Sequence, residues 1–178
     1  MSSFIEDFHR IDGDYVRVAA EQASRFAKGV ADDFNPIHDP DALRFCVPGD
    51  LLFALVLDRY GLSQRMQFSF TGMVGDSLGL IFPETDDASF KIIGEAGKTY
   101  LEVEREGAVS RGEKQIESLI RKYVAFSGHN FPDILVGLMA KHNVMINPAR
   151  PLVVYESMSF DLDHVDFDEV DLSLVEQT

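Results

Sequence analysis

The sequence has a single cysteine, Cys46, in 178 residues. One cysteine excludes an internal disulfide framework and a cysteine-based metal cluster. Long apolar runs are also missing, because the longest, Leu51 to Leu57, falls far short of the roughly 20 residues that a membrane span needs. Cys46 lies between Phe45 and Val47, and these neighbours favour a packing role over a nucleophilic one.

Basic residues are scarce, with 16 Lys and Arg against 30 Asp and Glu, for a net charge of −14. This balance argues against nucleic-acid binding, which needs basic surface to neutralise phosphates. The segment from Asp161 to Thr178 carries seven acids and no Lys or Arg. Basic residues such as Arg121 and Lys122 lie elsewhere, so a small phosphate-bearing ligand stays compatible with the sequence. The alternative is that both charge groups are solvated surface.

A length of 178 residues with 46 % hydrophobic content predicts one globular domain, residues 1–178, with a sizeable core. The first ten residues include two acids and no apolar core segment, unlike a secretory signal. We therefore expect a cytoplasmic protein without membrane contact. The histidines outside the motif below lack ligand-like spacing, so no metal site is expected.

The N-terminal part predicts a strand, a helix and a loop. Asp14 to Val18 alternates like a short strand, and Glu21 to Val30 has the apolar spacing of an amphipathic helix that ends around Gly29. An Asn-Pro step at Asn35 then indicates a turn, because a proline disfavours helical backbone at the preceding residue.

A second helix is predicted to begin near Asp50, because Pro48 and Gly49 interrupt any regular secondary structure before it. Its residues Leu51 to Leu57 are apolar on all sides, which is typical of a helix buried all round. Gly61 is a plausible C-terminal stop. A short buried helix in a small domain needs a sheet wrapped around it.

The rest of the chain supplies candidate strands and two more helices. Alternating segments predict strands at 66–70, 90–93 and 100–104, and a last strand is predicted over Leu152 to Met158. Helical spacing predicts a pair of helices, Glu113 to Phe126 and Pro132 to His142, within a helical insertion over about residues 111–146. The acidic segment 161–178 follows.

The stretch ADDFNPIH, residues 31–38, places Asp33, Asn35 and His38 close together on the predicted loop. It resembles the Gly-Asp-x-Asn-Pro-hydrophobic-His signature of the MaoC-like, R-specific enoyl-CoA hydratases. VPGDLL resembles the start of the central helix of their hot-dog fold, and FSFTGMVGDSL resembles the strand that follows it. The resemblance covers Ala23 to Leu78 in order and fades beyond Tyr100.

The resemblance implies an α+β hot-dog fold, an antiparallel sheet wrapped around a central helix, and a homodimer with its site at the interface. It implies R-specific hydration of a 2-enoyl-CoA, or of an acyl-carrier-protein equivalent, without a further cofactor. Asp33 would be the catalytic base, His38 its partner on the attacking water, and Asn35 the brace of the loop. The amides of Gly49 and Asp50 would hold the thioester oxygen.

In the same reading, Arg121 and Lys122 line the way into the site and meet ligand phosphates. The chain departs from the family pattern at Asp32, which replaces a glycine, and at Arg44 and Pro48. Aspartate tolerates left-handed backbone better than most residues, so the turn at Asp32 can survive.

Other interpretations stay open. The Asp-x-Asn-Pro-x-His segment could be a turn with capping side chains, and Asp50 could simply cap its helix. Some hot-dog thioesterases use an acid on the central helix, so an acyl-CoA thioesterase is one alternative. A non-catalytic acyl-CoA-binding or regulatory hot-dog protein is another.

Overall fold

The computed structural model describes residues 3–129, 136–145 and 154–173. These residues form a mixed α+β structure, which confirms the predicted class. Two short 3-10 helices lie at Phe4–Phe8 and Pro36–His38. The strands are β1 Arg10–Asp12, β2 Tyr15–Arg17, β3 Leu62–Phe70, β4 Leu80–Ile81, β5 Ser89–Gly94, β6 Thr99–Ser110 and β7 Ser157–Asp161. The helices are α1 Ala20–Gly29, α2 Gly49–Tyr60, α3 Glu113–His129 and α4 Val136–His142.

In the described part of the chain, the strands form one sheet in the order β1-β2-β4-β5-β6-β3-β7. Every pairing is antiparallel. β3 and β6 form the longest pair, from Leu62 opposite Ser110 to Phe70 opposite Leu101. Met66 and Phe68 of β3 are buried while the residue between them is exposed, as expected when one face of a strand faces the core.

Helix α2 is the centre of the core. Leu51 to Leu57 are all buried, with exposures of 5 % or less, as the uniformly apolar run predicts. The helix ends at Gly61, whose φ of 87° is left-handed. A Cβ at Gly61 would lie 2.8 Å from the Ser110 carbonyl oxygen. Glycine is therefore required there by both backbone conformation and space.

Helix α3 covers α2. Its buried face consists of Ile116, Leu119, Ile120 and Val124. The Tyr123 ring lies 5.0 Å from the ring of Phe53 on α2. α3 lies in the predicted helical insertion and is not part of the sheet, but its inner face belongs to the hydrophobic core. α3 extends to His129, beyond the predicted Phe126, because buried residues continue through Ser127 and Gly128.

Helix α4 has no buried residues and is described over Val136–His142, within the predicted helix Pro132 to His142. Residues 132–135 of the predicted helix lie outside the described residues. α4 is a short surface helix in which Leu138 and Met139 are only partly buried.

The predicted last strand begins too early. Residues 152–153 lie outside the described part, Val154 to Glu156 are irregular, and β7 begins at Ser157. The Tyr155 ring packs at 6.2 Å from Phe70, and Phe70 donates a backbone hydrogen bond to the Glu156 carbonyl at 2.9 Å. The burial of Met158 then sets the register of β7 on β3.

The acidic segment after β7 is irregular from 162 to 173. Its partly buried apolar residues pack against the core: Leu162, Val165, Phe167 and Val170. The acids between them are largely exposed. β1 and β4, by contrast, were not predicted from the sequence.

Candidate functional site

The loop after α1 begins with a left-handed residue. Asp32 has a φ of 53°, in agreement with the expectation that aspartate maintains this turn. The Asp33 amide donates to the Ala27 carbonyl at 2.8 Å, which closes the C-terminal end of α1. The Asp33 carboxylate also accepts a hydrogen bond from the backbone N–H of Asn35 at 2.9 Å. The loop is therefore held by local bonds around the carboxylate.

Asn35 caps the 3-10 helix Pro36–His38. Its side-chain oxygen accepts a hydrogen bond from the Ile37 amide at 3.2 Å, and Pro36 follows at the first helical position. Asn35 is itself buried, at 9 % exposure. The short helix fixes the direction in which His38 leaves the backbone.

His38 lies between a carbonyl and a carboxylate. Its Nδ1 is 2.7 Å from the Cys46 carbonyl oxygen, which can only accept, so Nδ1 carries a proton and donates. Nε2 faces the Asp33 carboxylate at 3.4 Å. The two side chains are only 10 % and 14 % exposed. The structure therefore brings together the two residues that the motif predicted as partners.

Asp50, in the first turn of α2, is 1 % exposed, and its Oδ1 has no hydrogen-bond partner among the described residues. Burial is the main cause that raises the pKa of Asp50 to about 8, and the negative charge of Asp33 is a smaller contribution to the same rise. The Ser127 hydroxyl lies close enough to lower this pKa partly. Neither Asp50 Oδ1 nor Ser127 Oγ makes a hydrogen bond of ordinary geometry in the described chain.

Two tyrosines border the same end of α2. Burial, together with the Asp50 charge, raises the pKa of Tyr123 to about 12. The pKa of Tyr155 is raised by burial and then by Asp50, Tyr123 and Asp33. A Cβ on Gly49 would lie 3.2 Å from the rings of Phe70 and Tyr155. Aromatic rings thus lie close against the start of the helix.

The C-terminal end of α3 packs directly on the loop. A Cβ at Gly128 would lie 1.8 Å from the Ala31 carbonyl oxygen, so only glycine allows this approach. Beside it, His129 Nε2 lies 3.0 Å from the Asp32 carboxylate. Asp32 therefore faces α3 as well as carrying the left-handed turn.

Arg121 and Lys122 are not brought to the Asp33–His38 pair by any described contact. Arg121 pairs with Glu117 at 2.7 Å, and its guanidinium lies 4.1 Å from the centre of the Phe4 ring. Lys122 is exposed. Their role in phosphate binding stays a prediction.

Several residues around the site were not predicted: Tyr123, Ser127, Gly128, His129 and Tyr155. The signal for two of them was present, since Ser127 and Gly128 continue the buried spacing of Ile120 and Val124. Small residues on the buried face of a helix indicate a close approach of another segment. Tyr155 gave no such signal, because its place depends on packing against Phe70.

Comparison with known protein families identifies the family of this chain. Residues 3–178 match the family described as Protein of unknown function (DUF3581). The chain belongs to this DUF3581 family. No curated protein and no solved structure matches it significantly.

The described residues of this DUF3581 protein contain no helix with the length and apolarity to span a membrane. Nor do they include a group of three or more His, Cys, Asp or Glu side chains arranged to hold a metal ion.

Proposed function

We propose that this protein is an acyl-thioester enzyme that hydrates a 2-enoyl-CoA, or the carrier-protein equivalent, with R specificity. The observation that carries the proposal is the Asp33–His38 pair, 3.4 Å apart and nearly buried. A carboxylate and an imidazole that converge in a largely buried site are suited to general acid–base catalysis.

The proposal includes the hot-dog fold. An antiparallel sheet and a helix buried on all sides are the two components of that fold, and both are present. The resemblance of ADDFNPIH, VPGDLL and FSFTGMVGDSL to MaoC-like hydratases gives the same expectation. A homodimer with the site at its interface is part of this proposal, and light scattering at several concentrations would test it.

The chemistry assigns one step to each group. Asp33 takes a proton from a bound water, the hydroxyl adds to C3 of the enoyl group, and the dyad returns a proton to C2. His38 Nδ1 is tied to the Cys46 carbonyl, which leaves Nε2 to face Asp33 and the water. Negative charge develops on the thioester oxygen, where amides of the first turn of α2 would stabilise it.

Crotonyl-CoA is the substrate for the test. Hydration removes the enoyl absorbance without releasing thiol, whereas a thioesterase releases thiol, and a binding protein gives neither signal. Asp33→Asn should keep the fold and reduce hydration by about 10²- to 10⁴-fold, the usual contribution of a general acid–base group. Asp41→Asn, an exposed carboxylate farther along the same loop, is the matched control and should keep wild-type turnover.

If Asp33→Asn changes stability but leaves hydration intact, the segment is a structural turn and the proposal is wrong. Asp32→Gly restores the glycine of the hydratase pattern and removes a like charge beside Asp33. It should therefore maintain or raise turnover, because it removes a like charge near the proposed base.

The phosphate role of Arg121 and Lys122 has its own test. Lys122→Glu should weaken acyl-CoA binding, and the effect should be larger at low salt. Lys114→Glu makes the same charge change on the same helix about 12 Å away, since each residue rises 1.5 Å, and serves as control. If Lys122→Glu and Arg121→Glu both leave the affinity for acyl-CoA unchanged, neither residue binds the phosphates of the ligand.

A further inference from the structure

Two buried polar side chains, Asp50 at the start of α2 and Ser127 on α3, carry atoms without a hydrogen-bond partner among the described residues. Asp50 is 1 % exposed and Ser127 is 5 % exposed, and they face each other from α2 and α3. The Ser127 hydroxyl lies near the carboxyl of Asp50, but neither Asp50 Oδ1 nor Ser127 Oγ makes a hydrogen bond of ordinary geometry among the described residues. Buried polar groups are nearly always satisfied by protein, water or ligand, so these atoms indicate a place for one more polar partner.

We propose that Asp50 is an uncharged carboxylic acid whose O–H donates a hydrogen bond to the carbonyl oxygen of the bound thioester. This inference deepens the proposed function and rests on it. It gives the side chain of Asp50 a binding role of its own, in addition to the backbone amides of the same turn.

The groups that face Asp50 come from three segments besides its own helix. The loop contributes the Asp33 carboxylate, α3 contributes Tyr123 and Ser127, and the segment before β7 contributes Tyr155. No Lys, Arg or His forms an ion pair with Asp50 in the described chain. A buried carboxylate without a cation is strongly disfavoured, and a second carboxylate nearby disfavours it further.

The helix amides favour the charged form of Asp50, but they do not outweigh its burial, and its pKa is raised to about 8. A protonated carboxyl then acts as a donor beside the N–H groups of the helix. All of these donors suit a carbonyl or enolate oxygen, and none of them suits an ammonium group. The same protonation removes the negative charge that would otherwise oppose enolate formation.

The first measurement asks whether Asp50 is protonated. Isotope-edited infrared spectra of protein with ¹³C-labelled aspartate should show a protonated-acid carbonyl band at pH 6.5. The band should disappear as pH rises through about 8. It should be absent from Asp50→Asn and unchanged in Asp58→Asn, an exposed aspartate on the same helix.

The second measurement tests whether the protonated carboxyl of Asp50 contributes to binding of the thioester carbonyl. Butyryl-CoA presents the thioester carbonyl without a double bond to hydrate. Calorimetric binding to wild type should be about tenfold or more weaker at pH 9 than at pH 6.5, because a donor has become a charge that repels the oxygen. Asn also donates, so Asp50→Asn should bind within about threefold of wild type at pH 6.5 and show little of this pH dependence. The ratio of the two proteins cancels the titration of other groups.

The outcomes separate the two proposals. An ionised Asp50 in a protein that binds butyryl-CoA contradicts this inference alone. Release of free CoA by wild type but not by Asp50→Asn also overturns it, because Asp50 would then act as a charged base or nucleophile. A protonated Asp50 in a protein that binds no acyl-CoA contradicts the proposed function, and with it the ligand role of the side chain.

Discussion

The two ends of helix α2 carry similar residues in opposite environments. At its start, Asp50 is buried beside Asp33 and has an oxygen without a partner in the described chain. At its end, Asp58 is exposed and accepts a hydrogen bond from the Ser3 hydroxyl at 2.6 Å. Tyr60 there donates to the Pro83 carbonyl at 2.8 Å.

This contrast separates structural from functional requirements. At the C-terminal end of α2, the side chains of Asp58 and Tyr60 both have hydrogen-bond partners. The buried end keeps a carboxyl where desolvation opposes its charge, an arrangement that lowers stability near neutral pH and above. Such an arrangement is common at functional sites, where acids with perturbed pKa values concentrate.

The largest loss of folding stability should come from substitutions in the apolar middle of α2, between its two ends. Phe53 packs at 5.1 Å from Phe68 on the sheet and 5.0 Å from Tyr123 on α3. Phe53→Ala should lower the free energy of unfolding by about 3 to 5 kcal/mol in urea titrations. Phe34→Ala, at a ring that is 65 % exposed, is the control and should have a much smaller effect. Equal losses would mean that α2 is not the centre of the core.

Asp50→Asn should change the pH dependence of folding stability, because it removes the buried carboxyl at the start of α2. The folded state raises the pKa of Asp50 from 3.8 to about 8, so the folded protein binds more protons than the unfolded chain between these values. Wild-type stability from this group is fully present below about pH 4 and is lost as pH rises through about 8. Asp50→Asn lacks this trend, so its advantage over wild type should grow from pH 5 to pH 9, reaching on the order of a few kcal/mol. A constant difference across thermal melts at these pH values would contradict a buried, titrating Asp50.

Gly61→Ala tests the glycine that ends α2. Alanine is strained at a φ of 87°, and its Cβ would meet the Ser110 carbonyl oxygen at 2.8 Å. The expected loss is about 1 to 3 kcal/mol, without any pH dependence. Gly97 has a similar φ of 81° but open space around it, so Gly97→Ala reports the strain without the contact. A similar loss in both variants would show that the approach to Ser110 contributes nothing.

Asp58→Asn should have the smallest effect. Its carboxylate is exposed, and surface substitutions usually change stability by less than about 0.5 kcal/mol. The difference from wild type should also stay the same between pH 5 and pH 9. A pH-dependent difference as large as that of Asp50→Asn would remove the contrast between the two ends.

The elements predicted well are those in which local chemistry and packing agree. The run Leu51 to Leu57 has no polar face, so it could only be a buried helix or a buried strand, and Gly61 ends it. The turn at Asn35 follows from a proline and a capping side chain, which need no distant partner. The last strand was misplaced because its register depends on the burial of Met158 beside β3.

The sequence by itself determined the core helix, the α+β class, and the loop on which Asp33, Asn35 and His38 lie close together. Each of these depends on the order of neighbouring residues. Only the tertiary structure decided that Gly128 and His129 meet that loop, that Tyr123 and Tyr155 border the helix start, and that Asp50 is buried without a cation in the described chain. These features join segments more than 70 residues apart in sequence. Contacts at such separations depend on how the whole chain packs, which no local pattern records.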